Sequence, residues 1–157
     1  LTWKAKQFGV HTRFIELAGE INNFMPVRVA NKAEEVLKSK NLDISSSKIL
    51  LLGIAYKKDV DDMRESPSIS ILELLEDKGA EVNYSDPFIP NFPNNRNYQY
   101  ERGSVPINSK TLKDHDLVIL CTDHTQFDYD LISNESSIII DTRGVFRHIS
   151  QTNIYRA

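Results

Sequence analysis

Lys48 to Ile54 reads KILLLGI, followed by Ala55-Tyr56-Lys57-Lys58-Asp59 and then by Ser66-Pro67. An unbroken apolar run of this length is what a strand covered on both faces requires. Ser66 can supply a helix-capping oxygen, and Pro67 suits the first helical position, where no backbone N–H is needed. Ile69, Leu72 and Leu75 carry the helical period on to Gly79, a C-terminal stop. The alternation continues outward. Glu81 to Ser85 reads as a second strand ending in Asp86-Pro87, Leu117 to Thr122 as a third, and Ser137 to Asp141 as a fourth, with a short helix suggested over Phe127 to Ile132. Strands separated by helical crossovers imply a parallel sheet. The expected fold is α/β: a Rossmann-like three-layer parallel sheet.

Upstream, the first forty residues read as helix. Phe14, Leu17, Ala18 and Ile21 recur at spacings of three and four, and Val29, Ala33, Val36 and Leu37 resume the pattern beyond Pro26. Proline there should kink the helix or start a second one. Ser39 to Ser47 is rich in Ser and Asn and marks the boundary between an N-terminal helical arm, 1–42, and a domain spanning 48–157. Phe88 to Ile107 is polar and proline-rich, a long loop with a short hairpin suggested around Tyr98 to Val105.

Composition narrows the function. Apolar residues make up 40% and charged residues 26% of the 157, as in a globular protein. With 19 basic against 22 acidic residues the formal charge is −3, and no basic run offers itself to nucleic acid. No apolar stretch approaches the ~20 residues of a bilayer span, and the start shows no secretory signal pattern. A single cysteine, Cys121, fits a reducing compartment. It sits inside an apolar strand and reads as a core residue. His11, His115, His124 and His148 have no metal-ligand spacing, so no metal site is expected. The chain opens at Leu1 without methionine, so we expect a piece of something longer.

In a parallel α/β sheet, ligands bind outside the carboxyl ends of the strands, where strand order reverses. Four segments therefore matter: Gly53 to Arg64, Asp86-Pro87, Thr122 to Thr125, and Asp141 to Gly144. Lys57 can neutralise phosphate as a compact charge, and Arg64, near a helix start, can grip phosphate oxygens in pairs. A solvated turn whose Lys and Arg pair with neighbouring Asp residues accounts for the same loop, and both readings stay open. Arg143 is either a second anion clamp converging with Lys57 or a surface arginine paired with Asp141. No G-x-G-x-x-G is present, which argues against a standard NAD site inside the domain. Asp86 stands where a ribose-binding acid would sit, but without that fingerprint it reads better as the cap of the turn with Pro87.

With these residues in view, the sequence resembles the C-terminal part of the UDP-glucose/GDP-mannose dehydrogenase family, and within it UDP-N-acetylglucosamine 6-dehydrogenases. The carrying stretches are Thr12 to Asn22 with Met25-Pro26, Gly53-x-Ala-Tyr-Lys57, Asp62-x-Arg-Glu-Ser-Pro67, Asp86-Pro87, Thr122-Asp123-His124 and Asp141-Thr142-Arg143-Gly144. Phe88 to Ser109 matches poorly. The resemblance implies a cytoplasmic, NAD-dependent enzyme of polysaccharide precursor synthesis that oxidises a sugar C6 alcohol to a carboxylate in two steps. A cysteine thiolate would capture the intermediate aldehyde. It implies an N-terminal NAD domain, a central helix that builds a homodimer, and a C-terminal UDP-binding domain. Tyr56, Lys57 and Arg143 match substrate contacts, and Arg64 matches an arginine reaching the NAD pyrophosphate. The family's Gly-Gly-x-Cys-x-Pro nucleophile, its NAD fingerprint and its catalytic Lys and Asn would lie upstream of this chain. No catalytic residue is therefore assigned here, Cys121 included, and this fragment alone should have no turnover. Three alternatives stay open: a non-catalytic nucleotide-binding module, a dimerisation module, or a relative acting on UDP-glucose or UDP-N-acetylmannosamine.

Overall fold

A computed structural model describes residues 2–92 and 102–157. Two helices come first, α1 (Thr2–Gln7) and α2 (Arg13–Ser39). The helical run is interrupted at 8–12, where Gly9 takes a left-handed φ of 71°, and not at Pro26. Pro26 lies inside one unbroken helix. It removes one intrahelical hydrogen bond, but the turns after it are held by burial. Val29, Ala30, Ala33, Val36 and Leu37 are all within 3% exposure of zero. Ile44–Ser46 form a single 3-10 turn, with the Asp43 carboxylate accepting the Ser45 N–H.

The sheet contains β1 (Lys48–Leu52), β2 (Glu81–Ser85), β3 (Leu117–Leu120), β4 (Ile139–Asp141) and β5 (Ile154–Arg156). The order is β2-β1-β3-β4-β5, and every pairing is parallel. Helices α3 (Pro67–Asp77), α4 (Ser109–Lys113) and α5 (Tyr129–Glu135) complete the chain. Successive strand residues point to opposite faces. Ile49 and Leu51 therefore join Val36, Leu37, Leu72 and Leu75 in one core, while Leu50 and Leu52 join Leu112, Ile132 and Phe146 in the other. This is the expected three-layer α/β arrangement, with α2 and α3 covering one face and α4 and α5 the other. Ser66 caps α3 by accepting the Ser68 N–H, and Pro67 occupies the first turn as its spacing predicts.

Two elements are additional to the sequence reading: α4, five residues with one buried apolar side chain, and β5, three residues on the sheet edge. The hairpin expected around Tyr98 to Val105 falls partly outside the described residues. Within them, Asn91 bridges Gly103 in antiparallel fashion. No described helix is long and apolar enough to cross a membrane.

The order reverses at β1, with β2 on one side and β3 on the other. Loops leaving β1 and β3 therefore lead to opposite faces at the carboxyl edge, the place where sheets of this class form their ligand crevice.

Candidate functional site at the carboxyl edge of the sheet

The crevice begins with a glycine. Gly53 has φ +79°, and a Cβ there would meet the Thr122 carbonyl oxygen at 2.5 Å and Thr122 Cβ at 2.6 Å. Only glycine lets the ends of β1 and β3 approach so closely. Thr122 Oγ1 then donates to the Ala55 carbonyl at 2.7 Å, tying the two loops together.

Asp86, at the end of β2, organises the floor. Its carboxylate is fully buried and receives five donors. The Ile54 and Ala55 N–H groups and His124 Nε2 reach Oδ2 at 2.8, 2.9 and 3.1 Å, and the Phe88 and Ile89 N–H groups reach Oδ1 at 2.8 and 3.2 Å. Burial pushes this carboxyl up, but the hydrogen bonds from His124, Ala55 and Phe88 outweigh it and hold it below the ordinary range. The acid does cap the turn at Pro87, and it also fastens the β1 and β3 loops. A carboxylate offers about four lone-pair positions, so none is left for a ribose hydroxyl. Asp86 thus does not fit the role of a ribose-binding acid.

The loop after β1 carries the exposed side chains. Tyr56 is half exposed, and its N–H donates to the Asp62 carbonyl at 2.7 Å. Lys57 Nζ stands 5.4 Å from the Tyr56 ring centroid, a cation–π contact. Asp59 closes the loop in a left-handed conformation, φ 59°. Its carboxylate accepts the Thr125 N–H at 2.8 Å and Thr125 Oγ1 at 2.9 Å. The Thr125 N–H is the main cause that holds the Asp59 carboxyl below its ordinary value.

From the far side, Asp141 shapes the turn that presents Arg143. Its carboxylate is buried and accepts the N–H groups of Arg143, Gly144 and Phe146 at 2.9, 2.8 and 2.8 Å. The Arg143 side chain pairs with a different acid. Its Nε donates to Asp123 Oδ1 at 3.2 Å, while Lys58 Nζ lies 4.0 Å from Asp123 Oδ2. One carboxylate thus draws together a cation from the β1 loop and a cation from the β4 loop. Pairs as exposed as these are worth about 0–1 kcal/mol each, so an incoming anion can take both cations at small cost.

Of the residues singled out from sequence, Tyr56, Lys57 and Arg143 all sit at this edge. Lys58, rather than Lys57, shares a partner with Arg143. The reading that paired Arg143 with the Asp141 carboxylate is corrected, because that acid is spent on backbone. Arg64 stands apart. Its guanidinium makes a two-pronged pair with Asp62, 3.0 and 2.8 Å, and its side chain is 87% exposed. That pair drops the Asp62 carboxyl to about 2. It is the solvated pairing foreseen for this loop, and it leaves the guanidinium face open to the outside. Lys58, Asp123 and Thr125 went unassigned in sequence, although Thr122 to Thr125 was marked as a strand-end segment. Cys121 is buried and its thiol is pushed up to about 12 by desolvation, as befits an inert core residue. Among the described residues no group of three His, Cys, Asp or Glu could hold a metal ion.

Comparison with known proteins gives this edge a context. The family described as "UDP-glucose/GDP-mannose dehydrogenase family, UDP binding domain" matches residues 50–148. The UDP-N-acetyl-D-mannosamine dehydrogenase of Methanococcus vannielii is 32% identical over 146 residues, covering 88% of this chain and 32% of that protein. The UDP-N-acetyl-D-glucosamine 6-dehydrogenase of Pseudomonas aeruginosa is 23% identical over 127 residues, covering 81% of this chain and 29% of that protein. The solved structure of UDP-D-ManNAc dehydrogenase from Pyrococcus horikoshii superposes with a TM-score of 0.72 at 27% identity, covering 90% of this chain and 32% of that one. The chain spans about a third of the length of the curated relatives it matches. The family match runs from β1 through the Arg143 turn, over well over half of the chain, and so takes in every loop of the crevice. This chain belongs to the UDP-glucose/GDP-mannose dehydrogenase family and contains its UDP binding domain.

Proposed function

We propose that residues 48–157 bind the diphosphate and sugar of a UDP-sugar at the carboxyl edge of β1, β3 and β4. The observation that carries this reading is the convergence of Lys58 and Arg143 on Asp123, beside the exposed Tyr56 and Lys57. In this reading Tyr56 packs against the nucleotide sugar, Lys57 and Arg143 neutralise the diphosphate, and Lys58 adds a third charge. A diphosphate takes over the two cations that Asp123 holds.

The reaction we propose for the full-length enzyme is NAD-dependent oxidation of a UDP-sugar at C6 to the uronate. We favour UDP-N-acetylglucosamine as substrate from the motif Phe14 to Pro26. UDP-N-acetylmannosamine stands beside it, because the M. vannielii relative is the more similar in sequence. NAD supplies hydride acceptance when bound by an upstream domain. The contribution of this chain is Arg64, exposed on the rim and able to offer its guanidinium to a pyrophosphate held elsewhere.

We assign residues 1–42 to homodimerisation in the cytoplasm. Support comes from the apolar side chains that α1, α2 and the turn between them leave uncovered: Trp3, Phe8, Phe14, Leu17, Ile21 and Phe24 are 53–84% exposed. The same α2 thus serves both regions, its second half packed in the core of the sheet and its first half free for a partner.

Calorimetric titration of this chain with UDP, UMP and uridine tests the site. Diphosphate should bind more tightly than monophosphate, and uridine least. Lys57→Met and Arg143→Met should each weaken UDP about tenfold, the worth of one charge-assisted contact. Equal affinity for UDP and uridine, or unchanged affinity in both variants, rejects the assignment. No NAD reduction is expected from this chain alone.

A further inference from the structure

We propose that His124 is a positioning residue for the nucleotide-sugar loop, anchoring both ends of residues 54–59 through its two ring nitrogens. The proposal rests on the reading of the crevice given above and adds the residue that fixes the wall formed by the β1 loop.

His124 is completely buried. Its ring lies between Phe88, 5.0 Å away at an interplanar angle of 41°, and Phe127, 5.3 Å away and edge-on at 79°. Burial between these rings keeps the imidazole out of bulk solvent. Nδ1 receives the Asp59 N–H at 2.9 Å. An amide N–H can only donate, so Nδ1 carries a lone pair and the proton resides on Nε2. Nε2 then donates to Asp86 Oδ2 at 3.1 Å, and every hydrogen in the chain is directed. The Asp59 carboxylate comes within 3.6 Å of Nδ1, but both of its oxygens already accept from Thr125.

The consequence falls on the loop. Its first anchor is Asp86, which holds the Ile54 and Ala55 N–H groups. Its second is the Asp59 N–H on His124. Tyr56, Lys57 and Lys58 lie between the two, exposed, with the Tyr56 N–H to Asp62 as their main-chain tether. Both anchors trace to the one Asp86–His124 pair, so the imidazole sets the span across which these side chains are presented. The ring itself, shielded on all sides, touches no ligand.

The test is made on this 157-residue chain, with 15N-edited NMR and UDP titration together. The imidazole 15N shifts of the native chain should report the Nε2-protonated tautomer. In His124→Phe, which keeps a ring and loses both bonds, amides of 56–59 should exchange about tenfold faster while those of 118–120 change little, and UDP should bind about tenfold more weakly. His124→Asn can still accept the Asp59 N–H and should recover most of the affinity. His124→Gln, reaching only toward Asp86, should not. If the Phe variant fails to fold, the Asn and Gln pair decides, since equal affinities in those two overturn the proposal. So does a native Nδ1-protonated tautomer, or unchanged exchange at 56–59 in every variant. Should the exchange pattern hold while the native chain binds no UDP, the anchoring stands and the nucleotide assignment falls.

Discussion

Replacing Asp86 by asparagine should cost this domain more than any other single-atom change at the crevice. The carboxylate accepts three donors on Oδ2 and two on Oδ1. Asparagine keeps the shape but offers one oxygen. Turned toward the Oδ2 side, it satisfies Ile54, Ala55 and His124 and sets its amide NH2 against the N–H groups of Phe88 and Ile89. Each buried donor left without a partner costs about 1–3 kcal/mol, so two give about 2–6. Breaking a buried charged network costs about 3–5, in the same range. Against a total of about 5–15 kcal/mol for a domain, that is a large fraction. In urea, followed by far-UV circular dichroism at pH 7, the midpoint should fall by about 1.5–2.5 M at an m-value of ~2 kcal/mol/M. Asp116→Asn is the control. Its carboxylate takes the exposed Lys48 N–H at 2.8 Å, and its loss should move the midpoint by less than about 0.5 M. Acid supplies a second arm. Asp86 titrates below its unfolded value of 3.8, so its stabilisation is complete above that value and is lost as the pH falls through the folded one. The gap between native and Asp86→Asn should therefore be constant at neutral pH and close below 3.8. A midpoint shift no larger than the control's, or a gap that closes near neutrality, refutes the accounting.

Gly53→Ala should destabilise by about 2–5 kcal/mol, combining a left-handed alanine with a clash against Thr122. A denaturation midpoint within error of native would contradict the close approach of β1 and β3. Leu37→Ala, at a fully buried site in α2, should lower stability by about 2–5 kcal/mol. A surface-like loss under ~0.5 kcal/mol would mean that the helix is not docked on the sheet. Cys121, with its thiol raised to about 12, should resist alkylation at pH 8 and react fully once urea unfolds the chain, as mass spectrometry can follow. Rapid labelling of the native chain would show its strand to be open.

Residues near one another in sequence were enough to give the parallel α/β class, the start of α3 at Ser66-Pro67 and the first four strands. Hydrophobic period, capping oxygens and proline geometry act over a few residues, so they are legible in a single sequence. Short elements were not. Leu112 alone marks α4, and β5 has three residues, too few for a period to register. Pro26 misled because its local cost is outweighed by burial of Val29 to Leu37 against the sheet. The site divides in the same way. Lys57, Arg64 and Arg143 could be named from the strand-end segments, and Tyr56 from the family resemblance. Their partners could not. Arg143 reaches Asp123, 20 residues away, His124 joins Asp86 across 38 and the Asp59 N–H across 65. Which acid meets which base depends on strand order, and strand order brings the ends of β1, β2, β3 and β4 within hydrogen-bond reach only when the sheet is assembled.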